Sequence, residues 1–233
     1  MRRCLYLLLI VLSFTPVSAQ QETLKFESYS IDDGMLQSTV NSTLKDSRGF
    51  IWFATQVGLN RFDGYTFKAY KSVPSDTTSL SGNWLWNLTE DSKGRLWIGT
   101  FSGGLNRYRY ESDDFVRYSL SKSDSSSTGR VGTWAWLERK DGKFWVGFDT
   151  GMAILDPEDG SFDMLNFPEY STHAFAIQRD SKGNIWVAST TGLHKVHPET
   201  HKLERYPYFP DDTTRGTGNI SRMIVDQNDL IWF

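Results

Sequence analysis

Apolar and polar positions along this chain of 233 residues alternate in short bursts. Five-residue apolar runs, IWFAT at 51–55, LWIGT at 96–100, FWVGF at 144–148 and IWVAS at 185–189, each follow a polar turn: DSRG, DSKG, DGK and DSKG. A clipped copy, DQNDLIWF, occupies 226–233. Runs of this length, rich in aromatic and β-branched residues and bounded by Gly, Asp and Ser, predict strands; helices need longer periodic segments. In the second unit the pattern predicts four strands, at 83–90, 95–100, 104–110 and 114–120.

The unit repeats. Trp52, Trp97, Trp145, Trp186 and Trp232 stand 45, 48, 41 and 46 residues apart, the period of propeller blades and related arrays. Three residues before the tryptophan lie Gly49, Gly94, Gly142 and Gly183, with Asp229 in the last copy, and six residues after it lie Gly58, Gly103, Gly151 and Gly192. Asp46, Asp91 and Asp180 open the turns, where a carboxylate accepts from backbone N–H groups just ahead and the glycine takes positive φ without steric cost. The expected fold class is all-β: a β-propeller of four-stranded blades, incomplete, with about four blades and the start of a fifth. Its repeat cores lie near 40–70, 85–120, 135–166, 174–206 and 220–233, and complete propellers have about 4 to 8 blades. A strand broken off after Trp232 leads us to expect a piece of a longer protein, with 24–30 as an early strand that completes a blade. Polar loops at 72–82, 121–129 and 210–218, and a shorter one at 167–175, account for the unequal spacing.

Composition narrows the function. Arg2 and Arg3, the apolar stretch 5–14 and the small residues Val17-Ser18-Ala19 read as a secretory signal peptide over 1–19, leaving 20–233 as the exported domain. The apolar run is shorter than the ~20 residues that span a bilayer. The single cysteine, Cys4, lies in that leader, so disulfides and thiolate chemistry are excluded from the mature chain. Removing Arg2 and Arg3 from 25 basic residues leaves 23 against 28 acidic ones, a charge of −5, which argues against nucleic acid as a partner. Aromatic residues make up 15%, which suits both sheet packing and surfaces that face sugars.

The candidate chemistry reduces mostly to structure. The DSKG turns lack the alternating oxygen ligands of a calcium loop, since Ser92, Lys93, Ser181 and Lys182 do not supply them. They also differ from the sialidase Asp-box, which puts Asp two residues before its Gly, where Ser47, Ser92 and Ser181 stand. His194, His197 and His201 need not converge on zinc from a strand and a turn, and His194 shares register with Asn60. The adjacent pairs Asp32–Asp33, Asp113–Asp114 and Asp211–Asp212 point apart instead of facing each other across a bond. No nucleophile elbow, phosphate-binding loop or zinc-protease helix is present. We therefore expect no catalytic residue, metal or cofactor in this chain. One set of positions changes character from blade to blade within the fixed frame, at the start of each innermost strand. It comprises Thr39 and Asn41, Trp84 and Trp86, Trp134 and Trp136, His173 and Phe175, Asn219 and Ser221. Either the aromatics fill space between blades, or some line the central opening and, with the polar members, bind a carbohydrate.

The stretch 46–70, DSRGFIWFATQVGLNRFDGYTFKAY, its later relatives and the lead-in at 27–46 resemble the two-component regulator propeller repeat over essentially all of the mature chain. The third unit departs from the pattern, with Lys140-Asp141-Gly142 at the turn and Ala153-Ile154-Leu155 for the Leu-Asn-Arg run. The resemblance implies the periplasmic sensor portion of a hybrid two-component histidine kinase that detects polysaccharide breakdown products. It also implies an inner-membrane-anchored parent, dimeric, with further blades, a sandwich-like domain, a membrane helix, a kinase core, a receiver and a DNA-binding domain beyond this chain. Oligosaccharide is the expected ligand. The rival readings are a propeller-type carbohydrate-active enzyme and an extracellular protein-interaction scaffold.

Overall fold

A computed structural model describes residues 25–120, 131–149, 151–165, 173–197, 200–206 and 218–233. The signal peptide expected over 1–19, the loop 121–129, most of 167–175 and 210–218, and Asp211 and Asp212 lie outside the described residues.

Among the described residues eighteen strands follow one another in groups. The first blade holds β1 (Val40–Lys45), β2 (Ile51–Thr55), β3 (Leu59–Phe62) and β4 (Phe67–Tyr70); the second β5 (Leu85–Glu90), β6 (Leu96–Thr100), β7 (Leu105–Arg109) and β8 (Asp114–Tyr118). The third holds β9 (Thr133–Glu138), β10 (Phe144–Phe148), β11 (Gly151–Leu155) and β12 (Phe162–Met164); the fourth β13 (Ala174–Arg179), β14 (Ile185–Ser189), β15 (Gly192–Val196) and β16 (Leu203–Arg205). A hairpin of β17 (Ile224–Val225) and β18 (Ile231–Trp232) opens a fifth. Each of the four complete sheets pairs its strands antiparallel in chain order. The first strands of successive sheets, β1, β5, β9, β13 and β17, pack side by side. This is the blade arrangement of a β-propeller. Residues 25–30, expected as a strand, form none; Tyr29 instead lays its ring against Phe62 and Phe67 at 5.0 and 5.6 Å.

The core lies between blades. Strands β6, β10 and β14 are buried at all five positions, because each sheet is covered on both faces. Side chains alternate across a strand, so Leu96 and Ile98 join Trp52, Leu59 and Tyr70 of the first blade, whereas Trp97 joins Trp136, Phe144 and Phe148 of the third. Trp145 and Trp186 serve the next two seams in the same way. Burying each ring stabilises by roughly 2–3 kcal/mol. Trp232, in the opening hairpin, is 61% exposed.

Candidate functional site

The polar turn and the tryptophan are one device. One oxygen of Asp46 accepts from the backbone N–H of Arg48 (3.0 Å) and Phe50 (2.9 Å), while the other accepts from the Trp52 indole N–H at 2.7 Å. The same indole bond recurs at Asp91–Trp97 (2.8 Å), Asp180–Trp186 (3.0 Å) and Asp226–Trp232 (2.9 Å). The six-residue spacing thus serves a buried hydrogen bond as well as a turn. Burial pushes the Asp91 and Asp180 carboxyls up, but the indole and neighbouring N–H donors outweigh it and hold both below the ordinary carboxylate range. Gly49, Gly94, Gly142 and Gly183 adopt φ between +69° and +95°, and Asp229 takes +62° in their place. In the third blade Arg139 stands where the others have Asp. Its backbone closes the same turn onto Lys143 (2.8 Å), and its guanidinium covers the Trp145 ring at 4.6 Å.

Two registers read from the sequence need correction. Gly103 shares its offset from the tryptophan with Gly58, Gly151 and Gly192, but the left-handed residue in the second blade is Gly104, with φ +83°, because that loop carries one extra residue. In the sequence Lys140-Asp141-Gly142 stands as the third turn, and counting seven and five residues back from Asp141, as from Asp91, pairs Trp134 with Trp84 and Trp136 with Trp86. The turn residue is Arg139, two positions earlier, so Trp134 shares its place with Trp86.

The ladders show why that place matters. In each innermost strand of the four complete blades the pairing slips by one residue: Val40 and Ser42 flank the slip, as do Leu85 and Asn87, Thr133 and Ala135, Ala174 and Ala176. Such a bulge leaves one residue unpaired and re-aims its side chain. The residues so placed are Asn41, Trp86, Trp134 and Phe175. They line one central cavity of about 430 Å³ together with their successors, Ser42, Asn87, Ala135 and Ala176, and with Ser221 and Arg222 of the fifth unit. Trp136 also borders the cavity but is only 6% exposed; its indole donates to Thr89 and its ring packs against Gly99. It fills the seam between the second and third blades.

Around the mouth of the cavity runs a chain of rings. Trp84 stacks on Phe101 at 4.5 Å, Phe101 meets Trp134 edge-on at 5.5 Å, and Trp134 meets Trp86 (5.2 Å) and Phe175 (5.4 Å) in the same way. His173 lies parallel to Trp134 at 6.4 Å. Asp149 holds the group, accepting from the Trp134 indole at 2.5 Å and the Gly132 N–H at 2.8 Å, with His173 Nδ1 at 3.8 Å. Trp84 and Phe101 remain 41% and 40% exposed. Asn219 sits apart, in a small cleft with Ile220 and Phe233. Phe101 and Asp149 were absent from the sequence-derived set, since both follow the second strand instead of starting the first; the aromatic directly after LWIGT was the available signal.

The remaining candidates find local partners. Asp33 caps a short 3₁₀ turn (Ile31–Asp33) from Ser30, and Asp113 accepts from Tyr70, Tyr108 and Lys68. Asp114 pairs with Arg109 at 2.6 Å. His194 is buried beside Thr191 (3.0 Å), with burial and then Arg205 depressing its basicity, while His201 abuts the Trp145 ring. No group of three metal-ligating side chains converges among the described residues.

The comparisons with known proteins fit this architecture. Residues 79–102, from the loop before β5 to just past β6, match the model of the two-component regulator propeller family. That stretch carries the repeat. Over 74 residues, 31% of its length, it is 43% identical to histidine kinase P4 of Formosa agariphila, of which the match spans 5%. Among solved structures it is similar to the extracellular domain of a one component system from B. thetaiotaomicron, at 25% identity and TM-score 0.66. That alignment covers 83% of this chain and 28% of the domain. Virginiamycin B lyase from Staphylococcus aureus shares the fold at 15% identity and TM-score 0.61, over 83% of this chain and 62% of the enzyme. The chain thus spans 5% of that kinase and 28% of that extracellular domain.

Proposed function

We propose that this chain forms part of an extracellular sensor domain of a hybrid two-component system, exported to the periplasm, and that it binds an oligosaccharide at the central opening. The observation that carries the reading is the row of bulges. Four successive bulges place Asn41, Trp86, Trp134 and Phe175 along one cavity, with Ser221 of the fifth unit beside them, while the frame behind them stays constant. Half-exposed indole and phenyl faces accept the apolar faces of sugar rings, and Asn41, Ser221 and Arg222 supply donors and acceptors for hydroxyl groups. The likeness to a histidine kinase and to the extracellular domain of a regulator supports a signalling role. Occupancy would be passed to a kinase through a change in subunit arrangement of a homodimeric parent, which requires different ligand affinity in two states.

Calorimetric titration of the folded protein with neutral oligosaccharides, repeated for Trp84→Ala and Trp134→Ala, tests this. Losing a stacking face of roughly 50 Å² weakens binding by about tenfold. Unchanged affinity in folded variants would remove the rim from the site. Turnover of a polysaccharide by the protein would replace the sensor reading with an enzymatic one.

A further inference from the structure

The seams between blades are fastened at the turn end by carboxylates. Ser47 donates its N–H (2.8 Å) and hydroxyl (2.6 Å) to Glu90, the last residue of β5 in the next blade. Ser92 does the same to Glu138, the last residue of β9, at 2.8 and 2.6 Å. At the fourth turn Ser181 clamps Asp229 at 2.7 and 2.5 Å. The third turn has the same backbone, with Arg139 N–H on Lys143 (2.8 Å), Gly142 N–H on Arg139 (3.1 Å) and a left-handed glycine. Its serine position, however, is Lys140, and the matching end of β13 is Arg179.

The backbone N–H of a carboxylate clamp is therefore present, without the serine hydroxyl, and no carboxylate among the described residues accepts from it. Lys140 makes no hydrogen bond or ion pair to any described residue, through its amide or its ammonium group. The two acidic groups nearby are committed elsewhere: Glu138 to Ser92, and Asp141 to the Arg139 guanidinium at 3.0–3.2 Å. Arg179 leans across the seam, donating to the Glu138 carbonyl at 2.6 Å, and leaves the rest of its guanidinium for another acceptor. Lys140, Arg179 and Lys93 line an open cleft of about 440 Å³ in a chain whose net charge is −3.

We propose that this cleft binds a small organic carboxylate, seated by the Lys140 N–H and flanked by the Lys140 and Arg179 cations, with room for a six-carbon acid behind the charged group. The three filled seams demonstrate the recognition chemistry within this molecule. A charge-assisted hydrogen bond from a fixed N–H together with two cations suits a planar anion. The site lies at the opposite end of the innermost strands from the aromatic rim, so it stands or falls independently of the oligosaccharide reading.

Amide spectra of the full chain, titrated with sodium acetate and sodium galacturonate at constant ionic strength against a chloride control, test the proposal. The Lys140 amide should shift saturably with both acids, more tightly for galacturonate, while the amides of Ser47 and Ser92 stay in place. The pair Lys140→Ser with Arg179→Glu rebuilds the clamp of the other seams. It should raise the apparent dissociation constant at least tenfold, with the unmoved remaining amides reporting an intact fold. The proposal is overturned by a shift that does not saturate, by an equal shift with chloride, by undiminished binding in the double variant, or by binding of an acidic peptide alone.

Discussion

Replacing Asp46 by asparagine isolates the bond that joins turn to tryptophan. The side chain keeps its shape, and one oxygen still accepts from Arg48 and Phe50. The other oxygen, which accepts from the Trp52 indole and from the Tyr110 hydroxyl at 2.7 Å each, becomes an NH₂ facing two donors. The tyrosine hydroxyl can rotate to accept from the new amide. The indole cannot, and Trp52 is fully buried, with Asp46 itself 4% exposed. A buried N–H left without an acceptor costs about 1–3 kcal/mol, and exchanging a charge-assisted bond to Tyr110 for a neutral one adds up to about 1 kcal/mol. We expect Asp46→Asn to destabilise by about 2–3 kcal/mol, a fall of ~5–10 °C in Tm for a chain of this size. Urea unfolding followed by tryptophan fluorescence measures it. The same exchange at Asp226, whose tryptophan is 61% exposed, leaves the indole to water and should lower the midpoint far less. If the two variants lose equal stability, or if Asp46→Asn falls within ~0.5 kcal/mol of the parent, the indole bond is not what fastens the turn.

Gly99→Ala would place a methyl group 2.5 Å from the Trp136 ring and 2.9 Å from the Thr133 carbonyl, and should cost about 1–3 kcal/mol in the same assay. Burial pushes the Asp113 carboxyl up, but bonds from Lys68, Tyr108 and Tyr70 win and lower it to about 2. Its contribution is therefore complete above the unfolded value near 4 and lost as pH falls through about 2. Asp113→Asn, which tolerates the φ of +57° found there, should flatten the stability profile across that window without changing its shape above pH 5. Trp84→Ala should leave Tm nearly unchanged, because the ring is 41% exposed and stacks on Phe101, itself 40% exposed. A fall of several degrees would assign it to the core.

How much was legible follows from what leaves a periodic trace. The blade order came through because Trp52, Trp97, Trp145 and Trp186 recur with a glycine at a fixed offset, and both residues answer to local geometry that cannot drift. In the third blade the trace failed by two residues. Lys140-Asp141-Gly142 mimics the usual turn, and nothing in the sequence alone distinguishes the carboxylate of Asp141, which pairs with Arg139, from one that receives an indole. Bulges were invisible for a different reason. An extra residue in a strand changes pairing, which is a property of two strands, while the apolar pattern of one strand reads through it. Glu90 and Glu138 had a signal, an acidic residue immediately before each turn, but their serine partners belong to the preceding blade, some 45 residues away in sequence.

The division of labour along the innermost strand explains how such a repeat can vary its recognition surface without losing its fold. From Asn41 to Asp46 is five residues, a span of ~17 Å in extended chain. At one end the aspartate accepts from the glycine N–H through its carbonyl and from a buried indole through its carboxylate; at the other the bulged residue faces the cavity and pairs with nothing in its own ladder. Exchanging asparagine, tryptophan or phenylalanine there disturbs no hydrogen bond of the sheet's own ladder, and so carries little cost to the sheet. Two of these side chains are nonetheless tied: Asn41 donates to the Leu85 carbonyl of the next blade at 2.8 Å, and the Trp134 indole donates to Asp149. The second tie fixes the orientation of the ring on which Trp86, Phe101, His173 and Phe175 converge, and it makes the third blade the point from which the rest of the rim takes its geometry.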